Sequence, residues 1–220
     1  MSMVDSLLYI SGMTRPDITY AVQSLLRHMQ SSTDAHKTMA KRIIRYLKGT
    51  KDLGIVYNGR VANPLVLEAF SDSTWASDKE TMKSVTGGFN RLAGACVSWN
   101  CKRQPTVALS SSEAEYMAAS AATQDVVHTR EFLKSLHFAQ DAPTKIYEDN
   151  QGAIAMSENP VHHKRTKHID IRHHFIRERV ESGDVKLVYV PTDRQIADIL
   201  TKPLDRVKFE YMRARLMGHV

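Results

Sequence analysis

Leu65-Val-Leu-Glu-Ala-Phe-Ser-Asp-Ser-Thr-Trp75 is an apolar run that ends in a carboxylate. Leu65, Leu67 and Phe70, with β-branched Val66, predict a strand buried on at least one face. Asp72 falls where the apolar pattern gives way to Ser71, Ser73 and Thr74. A lone aspartate at a strand end ordinarily starts a turn, because its side chain bonds the backbone two residues on. Its meaning depends on whether later segments bring more acids to the same place.

Ser110-Ser-Ser-Glu-Ala-Glu-Tyr116 opens a predicted helix that runs to about His137. Ala118, Ala122, Val126, Leu133 and Leu136 form one stripe along it. Extended back a turn, the stripe reaches Glu115, whereas Glu113 lies about 200° away at 100° per residue. Ser110 and Glu113 also fit a capping box, which gives Glu113 a structural job. Glu115 has none, and a carboxylate turned toward a packed face is costly unless its charge is used. Lys145-Ile-Tyr-Glu-Asp149 predicts another strand ending in an acid, followed by a helix through Ala153, Ile154 and Met156. That order suggests a crossover setting Asp149 beside Asp72 in a largely buried sheet. In the short helix Gln195-Ile-Ala-Asp-Ile-Leu200, Asp198 sits at the margin of inward-facing Ile196, Ile199 and Leu200.

Around these acids the chain reads as mixed α/β. Helical spacing runs through Ile18, Val22, Leu25, Leu26 and Met29 after Pro16, and again from an Asp34 start through Met39, Ile43, Ile44 and Leu47. Leu53 to Tyr57 predicts a short strand, and Asn58-Gly-Arg60 before Pro64 a boundary. Ser84–Phe89 and Ala95–Trp99 predict a meander with the opening strand, with Gly87 and Gly88 marking a bulge or a close backbone approach. Ile169, Ile176 and Val180 predict a helix capped by Gly183, and Val185–Val190 a last strand.

The 220 residues hold one full domain and a smaller unit. A net charge of +6 and a pI near 9.3 favour an acidic partner such as nucleic acid, although a basic protein without one has the same composition. Lys37, Lys41, Arg42, Arg45 and Lys48 crowd one helix, as a solvated face or a phosphate contact. Cys96 and Cys101, at odd spacing in a strand, point to opposite faces and do not pair. A reducing, intracellular setting fits, with no signal peptide or membrane span.

Four acids from separate elements, Asp72, Glu115, Asp149 and Asp198, can crowd together ionised only if cations are present. Mg²⁺, with Mn²⁺ as substitute, suits such oxygen ligands, and two ions roughly 3.5–4 Å apart are the device for in-line phosphodiester hydrolysis. His162, His163, His168, His173 and His174 offer a rival zinc reading, but neither a His-Glu-x-x-His nor a finger spacing is present. Tyr147-Glu-Asp-Asn150 differs from the polymerase Tyr-x-Asp-Asp signature at its last position. Candidate nucleic-acid contacts are Ser73, Ser111 and Asn150 beside the acids, and Lys164, Arg165, Lys167, His168, Arg172 and His173 in the basic stretch.

The sequence resembles the C-terminal part of the Pol polyprotein of copia-type LTR retrotransposons. The matching motifs are Ser6-Leu-Leu-Tyr9, Thr14-Arg-Pro-Asp-Ile18, Arg45-Tyr-Leu-Lys-Gly-Thr50, Ser71-Asp-Ser-Thr-Trp75 and Val107-Ala-Leu-Ser-Ser-Ser-Glu-Ala-Glu-Tyr116. They continue through Asp149-Asn150, Asn159-Pro160, Arg165-Thr-Lys-His-Ile-Asp170, His174-Phe-Ile-Arg177, Tyr189-Val-Pro-Thr192 and Ala197-Asp-Ile-Leu-Thr-Lys202. Asp5, Val85, Asn90 and Cys101 depart from the usual choices, and Thr192-Asp-Arg194 stands where some RNases H carry a histidine.

The resemblance implies an RNase H-like mixed five-stranded sheet with flanking helices over residues 61–205. A reverse transcriptase thumb or connection remnant would precede it over 1–60, and a tail would follow over 206–220. It implies that Asp72, Glu115, Asp149 and Asp198 are the metal-binding acids of an enzyme cutting the RNA strand of RNA–DNA hybrids. The rest of a reverse transcriptase is then a partner in trans. The alternative is an idle fragment kept as a nucleic-acid- or protein-binding, effector-like module.

Overall fold

The computed structural model describes residues 3–219 except 159–166, and only the backbone of 167–173. Three helices come first: α1 (Met3–Met13), α2 (Thr19–Leu26) and α3 (Asp34–Gly49). Their apolar stripes meet in a core of Leu7, Ile18, Val22, Leu25, Ala40 and Ile43, as helical spacing requires. Lys37, Lys41, Arg42, Arg45 and Lys48 all lie on the exposed side of α3.

A polar network fixes the turn between α1 and α2. Arg15 and Asp17 form a buried ion pair at 2.8 Å. Tyr46 donates its hydroxyl to Asp17 Oδ2 at 2.6 Å, and Arg15 donates to the carbonyl and hydroxyl of Thr50 at 3.0 and 2.8 Å. Thr14-Arg-Pro-Asp-Ile18 and Arg45-Tyr-Leu-Lys-Gly-Thr50 are therefore two halves of one cluster.

The strands are β1 (Glu68–Thr74), β2 (Val85–Leu92), β3 (Ala95–Arg103), β4 (Thr144–Glu148) and β5 (Val185–Tyr189), in spatial order β3-β2-β1-β4-β5. The meander β1-β2-β3 is antiparallel, whereas β1-β4 and β4-β5 are parallel. Parallel neighbours need crossovers. These are α4 (Ser111–Ser135) before β4, then α5 (Gln151–Glu158) and α6 (Lys167–Glu181) before β5. The sheet is thus mixed, five-stranded and RNase H-like. Asn159 and Pro160, expected to stop α5, lie outside the described residues; Gly183 closes α6 at φ +76°.

Side-chain alternation assigns the faces. Leu67, Ala69 and Ile146 pack with Ala122, Val126 and Leu133 of α4. Phe70 and Phe89 pack on the other face with Ile196, Ile199 and Leu200 of a 3-10 turn and with Met212 and Leu216 of α7 (Arg206–Met217). The stretch 206–220, expected as a tail, thus contains a helix that completes the core.

Two local expectations change. The opening strand begins at Glu68, leaving Leu65 and Val66 exposed. Leu53–Tyr57 is not a strand, because Val56 N donates to Met217 O at 2.8 Å, at the end of α7, rather than to a ladder. Gly218 makes that approach possible, since a Cβ there would stand 2.0 Å from Val56 O. Cys96 and Cys101 are buried and unpaired, but not on opposite faces: a register shift that sets Cys96 opposite Arg91 and Ser98 opposite Asn90 leaves both cysteines on the Phe89 side of the sheet. The N-terminal helices are not detached from the sheet: Trp99 of β3 donates its indole N–H to Ser11 O at 2.8 Å, and Arg213 of α7 donates to Tyr46 at 3.0 Å.

Candidate metal centre

β1 and β4 run parallel only as far as Phe70 and Tyr147, and then splay. Buried Gln195 fills the gap, donating through Nε2 to Ser71 O at 2.9 Å and Tyr147 O at 3.4 Å. Asp72 and Asp149 stand at this opening. The start of α4 is set against it by Gln104, which donates to Ala114 O at 2.9 Å and to Thr86 at 3.0 Å. The N-cap matches expectation, Ser110 Oγ accepting from Glu113 N at 3.2 Å, while Glu113 Oε2 reaches one residue further than a capping box and accepts from Leu109 N at 3.0 Å. Glu113 is thereby tied to the cap and Glu115 is delivered to the acids.

Carboxylate oxygens of Asp72, Glu115 and Asp149 all lie within 4.8 Å of one another. Glu115 Oε2 is buried and has no hydrogen-bond partner among the described residues. Burial, Glu148, Asp72 and Asp149 push the Glu115 carboxyl up to about 11. Burial also lifts Asp72 to about 7; Lys202 and a Thr201 hydrogen bond oppose that rise, and Asp198 and Asp149 add to it. Three oxygen donors converging on an unsatisfied carboxylate match the hard-donor set of Mg²⁺ or Mn²⁺.

Asp198 is fully buried but stands apart from this trio. Its Oδ1 lies 2.7 Å from Lys202 Nζ, a charge contact without hydrogen-bond alignment, and its Oδ2 accepts from Lys208 Nζ at 2.7 Å. Lys202 Nζ also lies 3.7 Å from Asp72 Oδ2. Burial alone lowers the Lys202 pKa, but Asp72 and Asp198 carry it above its ordinary value.

The expected contact residues fall in different places. Ser73 is buried beside Glu115, where its hydroxyl opposes the rise of that carboxyl, and Ser111 is exposed at the first turn of α4. Asn150 caps α5, its Oδ1 accepting from Ala153 N at 3.0 Å and from Ser112 Oγ at 3.1 Å. Lys164 and Arg165 lie outside the described residues, as do the side chains of Lys167, His168, Arg172 and His173. Sequence reasoning missed Glu148, which is fully buried and held well above the ordinary carboxylate range by burial and by Asp72 and Asp149. Strand alternation was the available signal, since residue 148 shares the α4-facing side of Ile146.

Gly87 sits opposite Asp72 in the β1-β2 ladder. A Cβ there would meet Thr201 Cγ2 at 2.6 Å and Leu200 Cβ at 2.8 Å, so the close approach read from the sequence is real. The segment it admits carries Thr201, whose hydroxyl donates to Asp72 Oδ2. Gly87→Ala is expected to cost about 1–3 kcal/mol by overpacking. Urea denaturation measures the loss, and an unchanged midpoint would contradict the contact.

No family model matches the chain. It is 42% identical over 207 residues to the retrovirus-related Pol polyprotein from transposon RE2 of Arabidopsis thaliana, covering 94% of this chain and 14% of that protein. It is 41% identical over 127 residues to secreted RxLR effector protein 161 of Plasmopara viticola, covering 58% of this chain and 88% of that one. Among solved structures, LC11-RNase H1 isolated from compost aligns at TM-score 0.48 and 14% identity, over 62% of this chain and 92% of that one. The motifs running from Ser6 to Lys202 and the extent of the match to RE2 agree: the chain belongs to the copia-type retrotransposon Pol polyproteins and spans about a seventh of their curated length.

Proposed function

We propose that this chain is a retroelement ribonuclease H that hydrolyses the RNA strand of RNA–DNA hybrids with divalent metal. The carrying observation is the convergence of Asp72, Glu115 and Asp149 within 4.8 Å, with Glu115 Oε2 lacking a hydrogen-bond partner among the described residues. When bound there, Mg²⁺ or Mn²⁺ supplies the charge that lets these acids ionise together, and Lewis acidity toward a phosphoryl oxygen. Thr201 holds Asp72 against rotation, and the Asn150 cap fixes the backbone that follows Asp149. Of the two ions the resemblance implies, one suits this trio; the second would fall between Asp72 and Asp198, where Lys202 stands.

The rest of a reverse transcriptase is the partner that α1–α3 would meet in trans, and exposed Leu8, Tyr9, Met13, Met39 and Ile44 support this. Among the described residues no helix is long and apolar enough to cross a membrane. The test is a labelled RNA–DNA hybrid incubated with Mg²⁺ and either the native chain or Asp149→Asn. RNA-strand cleavage that the variant loses is the expected result. A second reading, an idle effector-like binding module, draws on the identity to a protein named as a secreted effector. Equal background from both chains would favour it and sink the ribonuclease.

A further inference from the structure

We infer that the Lys202 ammonium is a built-in replacement for the second divalent ion, so that the centre loads one ion rather than two. This rests on the metal-centre reading above. An ion bridging Asp72 and Asp198 would need an open oxygen on each at about 2.0–2.1 Å. Both oxygens of Asp198 instead face ammonium groups at 2.7 Å, and the nearer edge of Asp72 faces Lys202 at 3.7 Å. A compact ammonium is a point charge that meets carboxylates as a small cation does.

The lysine is held there by its backbone as well. Lys202 N and Thr201 N both donate to Asp198 O at 3.1 Å. The Thr201 hydroxyl donates to Asp72, and the Thr201 carbonyl accepts from Thr74 Oγ1 at 2.9 Å. Gly87, by having no side chain, lets this segment lie on β2. The position between Asp72 and Asp198 is therefore built around residue 202. Charge agrees in direction: the ammonium groups of Lys202 and Lys208 both face the single carboxylate of Asp198, so its negative charge is already offset without a second ion.

The experiment counts Mn²⁺ bound per chain by electron paramagnetic resonance, on the full chain with a non-cleavable hybrid present. The expected count is one for the native chain, two for Lys202→Met, and one for both Lys202→Arg and Lys208→Met. Two ions on the native chain, or one on Lys202→Met, overturns the inference. If Lys202→Met is unfolded without metal, the Mn²⁺ equivalents that restore its circular dichroism are counted. Two equivalents support the replacement, and one or no recovery refutes it. The count does not depend on cleavage: an inactive chain can still bind one and then two ions, whereas an active chain with an unchanged count loses only this inference.

Discussion

Glu115→Gln is expected to abolish hybrid cleavage while making the metal-free protein more stable at neutral pH. Loss of a metal-binding carboxylate should lower the rate about 10³-fold or more, roughly 4 kcal/mol of transition-state stabilisation. The stability gain follows from proton linkage. The native Glu115 carboxyl is pushed up to about 11 against an ordinary 4.5, because it is buried beside Glu148, Asp72 and Asp149. Between those values the folded state binds more protons than the unfolded state, so stability falls as pH rises. The contribution of Glu115 is complete below about pH 4.5 and is lost progressively toward 11.

At pH 7 the accumulated loss is at most about 3 kcal/mol, from 1.36 kcal/mol per unit. Glutamine has no proton to release and escapes it. Urea denaturation in EDTA at pH 5, 7 and 9 should show the variant gaining on the native chain at each step. Saturating Mg²⁺ should narrow the gap by stabilising only the native site. Equal stabilities at pH 9, or retained cleavage, would remove Glu115 from the centre.

The second large effect lies far from the acids. Asp17→Ala should destabilise the chain by about 3–5 kcal/mol, because it leaves the Arg15 guanidinium buried and uncompensated. Asp17 also accepts from Tyr46, and Tyr46 accepts from Arg213 of α7, so the damage should reach the sheet. Denaturant unfolding measures the loss. The double variant Arg15→Met, Asp17→Leu should recover much of it, since removing both charges avoids the stranded one. A single variant within 1 kcal/mol of the native chain would contradict this account.

Much of the fold was written in local pattern. Period-two and helical spacings placed the meander, α4 and the later strands, and helix geometry separated capping Glu113 from site-facing Glu115. Gly87 was legible as a close approach, though its neighbour across the gap was not. What stayed hidden were contacts between residues distant in the chain. Nothing local says that Lys208 of α7 reaches Asp198, that Arg15 reaches Thr50, or that Leu53–Tyr57 finds a helix end instead of a ladder. Lys202 stands four residues after Asp198 and reads as an ordinary helical ion pair until Asp72 is seen beside it.

The mixed pairing of β1 carries a kinetic consequence. Its antiparallel register with β2 runs the length of the strand and closes over a short stretch of chain, whereas its parallel register with β4 covers only Glu68–Phe70 and waits for α4 to cross. Short-range pairing forms quickly, and long-range parallel pairing is slow. Asp72 thus belongs to an early-forming hairpin, and Asp149 and Asp198 to segments that arrive afterwards. A cation held by Asp72 and Asp149 would act as a rivet across two folding units, and its grip would be available only once the slower one has docked.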